Sequence, residues 1–410
     1  MSFTTLQVGQ AGNQIGYELW RLLRSEIPEY NDTMFDSLNG EKARCVLVDT
    51  EPKVVKQYLD DPCLKEFFNK DNIFYTEEGR GNNWAYGYQD AEDGFDSKIM
   101  DWLRKEAENW DFYEGVVMMH SIAGGTGSGL GSRLMETFKD IYPKAKLVNV
   151  VVWPHPSGET PLQNYNSWFT TSFLQKYSDS VIIFQNEDMM KTIPKWIDDK
   201  KAQNVSMRNL NEYISVWMKN IFVPRSDEKI SLYDICELAP VPQLKLLSCN
   251  TNPFLYNNKL SCDKSKDWQD VISEWMSQIT YKKGSPYLIS SRAISKYSET
   301  GAFSTLDDYV WKKVKSKFKW VDWVDNQVTS VSVNEPPFYS QPSCEFSFTL
   351  LSNSQVSVKP LKNILSYGKA KFKSKAYLHW YQNYDIGEED FKEAFKYVEE
   401  TVDSYEKYIT

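Results

Sequence analysis

The segment SIAGGTGSGLGSR, residues 121–133, places five glycines within eight positions, directly after the apolar run Val116–Met119. Glycine loses more conformational freedom on folding than any other residue, so such a run requires a compensating role. A strand, a glycine-rich turn and a helix together leave backbone N–H groups free at the positive end of a helix dipole, where an anion can sit. The chemistry suggested is phosphate binding: Gly124, Gly125 and Gly127 permit close backbone approach, and Thr126 and Ser128 add hydroxyl donors. The segment is neither a Walker A loop, since no lysine follows, nor a GxGxxG turn. Taken alone, it fits a tight structural turn equally well.

Three other stretches carry compatible chemistry. GQAGNQIG (Gly9–Gly16) is a second glycine-marked turn, with amide side chains at Gln10 and Gln14. DTEP (Asp49–Pro52) sets two carboxylates, Asp49 and Glu51, two residues apart. Carboxylates beside a polyphosphate suit a bridging Mg²⁺; acids are also common where a helix starts. GRGNNWAYG (Gly79–Gly87) is a further polar glycine turn. The three histidines (His120, His155 and His379) and the scattered cysteines form no nucleophile or zinc pattern.

The elements that would position these groups follow from hydrophobic patterning. Phe3–Val8, Arg44–Asp49, Gly115–Ser121, Lys146–Trp153 and Ser180–Gln185 are β-type runs separated by helical stretches, the first helix running to Arg24. Continuous Val/Ile/Leu runs of this kind predict a parallel sheet covered on both faces, with ligands at the C-terminal strand ends. Asn209–Phe222 predicts a central buried helix, and residues 244–355 are richer in short β-type runs, as in an α+β domain. Phe391, Phe395, Val398, Val402, Tyr405 and Ile409 form an apolar stripe on a C-terminal helix whose other face is acidic.

At 410 residues the chain exceeds the usual size of a single core, so two or three domains are expected. Its 41% hydrophobic and 25% charged residues are those of a folded globular protein, and a net charge of −9 argues against general nucleic-acid binding. No run is long enough to span a membrane, the N-terminus lacks a basic-then-apolar leader, and the six cysteines fit reduced thiols. A cytoplasmic protein without membrane insertion is expected.

In this order and spacing, GQAGNQIG, DTEP, GNNWAYG, AGGTGSG and NYNS resemble the nucleotide loops of the tubulin family, and the likeness runs essentially end to end. GNNWAYGY, IAGGTGSGLGS, QNYNS and SKAYLHWY followed by EEDF resemble its delta-type members most, as does a chain stopping at Thr410 without a glutamate-rich tail. The resemblance implies an α/β GTPase-like domain with a parallel sheet (residues 1–186), a central helix with an intermediate α+β domain (187–356), and C-terminal helices (357–410). It implies GTP or GDP with Mg²⁺ as ligands, tubulin-family subunits and centriole or basal-body proteins as partners, and a cytoskeletal location at centrioles or basal bodies.

By the same resemblance Gln10 and Ala11 lie under the phosphates, Gln14 faces the ribose and base, and Asn82 belongs to a phosphate loop. Gly124–Gly127 with Ser128 surround the β-phosphate, Glu159 and Gln163 lie near the ribose, and Asp49 and Glu51 hold the metal. Asn186 and Asn211 read the guanine edge, where an amide supplies both donor and acceptor, or else they cap helices. Departures are Met207 where an aromatic ring usually stacks, Gln163 for a glutamate, Ala123 for the first signature glycine, and Arg80 beside Asn82. Hydrolysis in the family is completed by the next subunit; here Tyr233 takes that position, with Asp234 beside it as the candidate acid acting in trans. The implied role is formation or stability of triplet microtubules through nucleotide-stabilised contacts. The alternatives are an adaptor without nucleotide switching and a self-polymerising GTPase.

Overall fold

Five β-branched runs form the strands expected of them. They are β1 (Ser2–Val8), β2 (Cys45–Asp49), β4 (Tyr113–Ser121), β5 (Lys146–Trp153) and β6 (Ser180–Gln185), with the short β3 (Ile73–Tyr75) at one edge. All pair in parallel, in the order β3-β2-β1-β4-β5-β6. In the computed structural model, the described residues are 2–26, 34–36, 42–89, 94–156, 158, 160–196, 205–222, 231–252, 255–256, 259–260, 269–270, 272–273, 276, 287–297, 303–334 and 346–409.

The sheet does not stop at β6. Strand β7 (Leu246–Asn252) pairs with β6 in parallel through Val181–Leu246 and Ile182–Leu247. Beyond it come the antiparallel β11 (Phe346–Ser354) and β8 (Tyr287–Tyr297). Helix α10 (Phe303–Lys317) precedes β9 (Lys319–Trp320), and β9 and β10 (Val328–Asn334) both pair with β8. A parallel and a mixed region thus share one 11-stranded sheet, and the fold is α/β.

Alternation along the strands divides the core in two. On one face Val117 and Met119 of β4 pack with α1 (Gly9–Glu26), α2 (Pro52–Asp60) and α8 (Met207–Phe222), through Ile15, Trp20, Tyr58, Ile214 and Trp217. On the other, Val116 and Met118 pack with α4 (Phe95–Glu108), α5 (Gly131–Ile141), α6 (Gln163–Tyr177), α11 (Val358–Lys373) and α13 (Glu388–Ile409). The predicted central helix is α8, buried along nearly its whole length from Asn209. The predicted C-terminal stripe buries Phe391, Val398, Val402 and Tyr405 against the second cluster, while Glu393, Glu400, Asp403 and Glu406 face solvent. Among the described residues, no helix is long and apolar enough to cross a membrane.

One difference from the sequence reading lies at Gly9. The glycine turn expected after β1 is reduced to one residue: α1 starts at Gly9 itself, whose φ of +71° turns the chain, and residues 10–16 are already helical.

His120 is fully buried at the end of β4, its Nε2 3.2 Å from Asn149 Oδ1 on β5. Burial lowers its imidazole from 6.5 to about 4. The unfolded chain therefore takes up a proton at higher pH than the folded one. Stability is full above about pH 6.5 and falls as pH drops towards 4, by on the order of 3 kcal/mol from this group. Chemical denaturation of His120→Gln across this range should show a shallower acid decline than the wild type; parallel curves would refute the assignment.

Candidate functional site

The C-terminal ends of β1, β2, β4, β5 and β6 converge on a cleft of about 400 Å³. Each strand delivers one wall. From β1 the chain passes directly into α1, which presents Gln10, Ala11 and Gln14. The approach of α1 to the glycine run is close: a Cβ on Gly9 would lie 2.7 Å from the Gly127 nitrogen.

From β2 come Asp49 and Glu51. Asp49 is buried, and its Oδ1 accepts the backbone N–H groups of Thr50 (2.8 Å) and Glu51 (3.3 Å). Burial nevertheless pushes its carboxyl up to about 7. Glu51 is exposed, and its carboxylate lies against Gly79, where a Cβ would sit 2.4 Å from Oε1.

The loop before α3 (Trp84–Gln89) contributes Arg80, Gly81 and Asn82. Gly81 and Asn82 take φ values of +54° and +51° in succession, a conformation that asparagine tolerates. The Asn83 side chain then caps α3 through the Ala85 N–H (3.0 Å). Arg80 is buried, with its guanidinium 4.7 Å from the Tyr86 ring centroid and a hydrogen bond to the Glu78 carbonyl.

The glycine run follows β4. Its glycines divide by role. Cβ atoms on Gly125 and Gly129 would strike the backbone of the α3 segment, 2.8 Å from the Arg80 oxygen and 2.2 Å from the Trp84 oxygen. A Cβ on Gly124 would meet only Asn82 Oδ1, at 4.0 Å, and would otherwise project into the cleft. Packing therefore accounts for part of the glycine content, and the open cleft for Gly124. The Thr126 hydroxyl hydrogen-bonds to that of Thr50, joining the run to the end of β2.

At the far side lie Gln163, at the start of α6, Asn186, at the start of α7 (Asn186–Trp196), and Met207, at the start of α8. Gln163 Nε2 donates to the His155 carbonyl at 2.9 Å. Asn186 is buried, and its Oδ1 has no hydrogen-bond partner among the described residues. Thr160, another lining residue, has its hydroxyl in the same state. Met207 is 53% exposed, an apolar side chain left open at the cleft mouth.

The structure thus gathers Gln10, Ala11, Gln14, Asp49, Glu51, Asn82, Gly124, Gly125, Thr126, Gly127, Gln163, Asn186 and Met207 around one space. Ser128 is fully buried behind it, donating its hydroxyl to the Gly124 carbonyl, so it supports the loop from within. Asn211 is buried one turn along α8 from Met207 and is not on the cleft wall. Glu159 lies outside the described residues. Sequence reasoning missed Thr160 and Lys53, both lining residues. The place of Lys53 immediately after DTEP was the available signal for it.

Asp234 belongs to α9 (Leu232–Cys236), at the opposite end of the sheet. Glu114, near the start of β4, accepts from Ser231 Oγ and the Leu232 N–H, both at 2.6 Å. Asp234 Oδ2 closes a capping box on the Ser231 N–H (3.0 Å) and lies 3.4 Å from the Arg292 guanidinium. Tyr233 beside it is 40% exposed, with Lys146 Nζ 5.0 Å from its ring centroid. Within one chain, Asp234 and the cleft do not meet.

Residues 2–194, which carry the parallel sheet and most of the cleft wall, match the GTPase domain of the Tubulin/FtsZ family. Across 99% of both chains, the sequence is 30% identical to the tubulin delta chain of Macaca fascicularis and 29% identical to that of Homo sapiens. The tubulin beta-1 chain of Suillus bovinus is 26% identical over 98% of this chain and 94% of its own length. A GTPase-domain match around the cleft and a likeness extending through both later regions lead to one conclusion: this chain belongs to the tubulin family.

Proposed function

We propose that the cleft binds a guanine nucleotide, GTP or GDP, and that the bound nucleotide stabilises subunit contacts of a delta-type tubulin. The observation that carries this reading is the buried Asn186 Oδ1, without a partner among the described residues, at one end of a cleft whose other end is an open glycine loop. A buried acceptor without a partner is costly unless a ligand supplies the donor. The N1–H and N2–H groups of guanine are such donors, and the Asn186 amide can in turn donate to O6.

In this reading Gln10, Ala11, Asn82 and Gly124–Gly127 surround the phosphates, Gln14 and Gln163 face the ribose and base, and Met207 covers the base with a thioether. Glu159 and Asn211 belong to the proposal by resemblance only. The donor set fits Mg²⁺: the exposed Glu51 carboxylate and Asp49 supply hard oxygens beside the phosphate loops. Among the described residues, no three acidic, histidine or cysteine side chains form a metal cage, so the remaining ligands would be phosphate oxygens and water. Bound there, Mg²⁺ supplies neutralisation of phosphate charge. For hydrolysis we assign an in-trans role to α9, since Asp234 reaches a cleft only across a head-to-tail contact. The capping box and Arg292 already engage that carboxylate, which favours slow turnover.

The likeness to delta chains supports action with other tubulin subunits in the formation or stability of centriole and basal-body triplet microtubules. A second reading, an adaptor without nucleotide switching, is favoured by the Gln163 amide being engaged by His155 and by the missing aromatic ring at Met207.

The test is to denature the purified protein, identify released nucleotide by chromatography, and titrate GTP, GDP and ATP by calorimetry. A guanine nucleotide near one per chain, or guanine-specific binding, is expected; a protein that binds none of the three would leave the adaptor. Gly124→Ala should fold as the wild type but bind GDP roughly tenfold or more weakly, because its Cβ projects into ligand space alone. Unchanged affinity would remove the loop from the site. Asn186→Asp replaces the donor by an acceptor and should lower GTP affinity while leaving the melting temperature near that of the wild type. Retained guanine preference in that variant would overturn the base-reading role.

A further inference from the structure

Behind the cleft, one buried side chain holds both loops that face the proposed phosphates. Asn166, on α6, is fully buried. Its Nδ2 donates to the Asn82 carbonyl and to the Ala123 carbonyl, each at 2.7 Å. Its Oδ1 accepts the Trp84 N–H at 2.9 Å and the Tyr381 hydroxyl. Two donors and two acceptor sites are thereby all used, so the amide plane is fixed.

The fourth of these bonds comes from outside the GTPase-domain match. Tyr381 lies 215 residues along the chain from Asn166, in the short helix α12 (His379–Gln382). Its ring is held independently of its hydroxyl, with centroids 5.7 Å from Phe169 and 5.0 Å from Phe391. The same C-terminal segment grips the Asn82 loop and α3 at three more points. Asn83 Nδ2 donates to the Trp380 carbonyl at 2.9 Å, Gln89 Nε2 donates to the Tyr384 carbonyl at 2.5 Å, and the Tyr86 and Tyr384 rings stack at 5.0 Å. The segment's outer side is solvent-facing, with Tyr377 41% and Trp380 48% exposed.

We infer that Tyr381 is a positioning residue for the phosphate-facing loops, acting through Asn166, so that the segment from Tyr377 to Ile386 completes the ligand site from behind. This rests on the guanine-nucleotide reading of the cleft. Without the hydroxyl, Asn166 Oδ1 keeps one donor and its amide can turn, which loosens its hold on the Asn82 and Ala123 carbonyls. The ligand must then order those loops itself, and affinity falls. Linkage makes the effect reciprocal: occupancy of the cleft steadies the segment carrying the exposed Tyr377 and Trp380.

The experiment uses the full chain and competition against fluorescently labelled GDP, with unlabelled GDP and guanosine as the competing ligands. Tyr381→Phe keeps the ring and removes the hydroxyl. Asn83→Asp keeps the cap on Ala85 but sets an oxygen against the Trp380 carbonyl, and it gives a second route should the first variant fold poorly. Each should weaken GDP roughly three- to tenfold while guanosine, which lacks phosphates, is unaffected. Hydrogen exchange in residues 377–386 should slow when GDP binds the wild type, and should slow less in Tyr381→Phe. Equal losses for GDP and guanosine, or unchanged GDP affinity in folded variants, would overturn the positioning role while leaving the nucleotide reading intact. A wild type that binds no guanine nucleotide would overturn both.

Discussion

The structure depends on backbones meeting without side chains between them. Gly9 abuts the Gly127 nitrogen, and Gly125 and Gly129 abut the α3 segment, each at a separation that admits no Cβ. These contacts set α1, the glycine run and α3 as one unit at the end of the sheet. Three walls inherit their place from that unit: Gln10 from the α1 side, Asn82 from the α3 side, Gly124 from the run itself. A small expansion at any of these meetings would move three walls together, because the interior is close-packed and has nowhere to take up the displacement.

Two asparagines show how one side-chain type serves opposite ends. Asn166 is satisfied at every position, and its bonds join segments of the chain to one another. Asn186 is buried too, yet its oxygen has no partner among the described residues. The first stiffens the site; the second leaves an interaction to be made by something the chain does not contain. Burial alone does not separate the two roles. The hydrogen-bond account does.

Much of this was legible in the sequence because it rests on local pattern. The five parallel strands, the buried α8 and the acidic-faced α13 follow from apolar periodicity, and the lining residues fall at strand ends, where α/β sheets present ligands. Non-local features were not legible. Nothing near Gly125 or Gly129 indicates that each faces the backbone of another loop, so phosphate approach and tight packing stayed equal readings of the run and Gly125 was grouped with Gly124. Ser128 read as a donor to the ligand, because its bond to the Gly124 carbonyl requires a helical turn that the glycines alone do not specify. The tie from Tyr381 to Asn166 spans half the chain, and no pattern in either neighbourhood announces it.

The continuous sheet bears on how the protein is made. Strand β7 needs β6 on one side and β11 on the other, and the Tyr405 hydroxyl on α13 accepts the Leu246 N–H and donates to Asn353 Oδ1. A chain emerging from the ribosome therefore completes β1 to β6 long before the segments that cover them exist. Leu361, Phe391 and Val398 close the second core last, so Val116, Met118 and Trp168 wait beneath an open face. Contacts of such separation are slow to form, and exposed apolar surface in the interval invites aggregation. Synthesis of this chain thus carries a built-in interval in which shelter from other unfolded chains, rather than intrinsic stability, decides the yield.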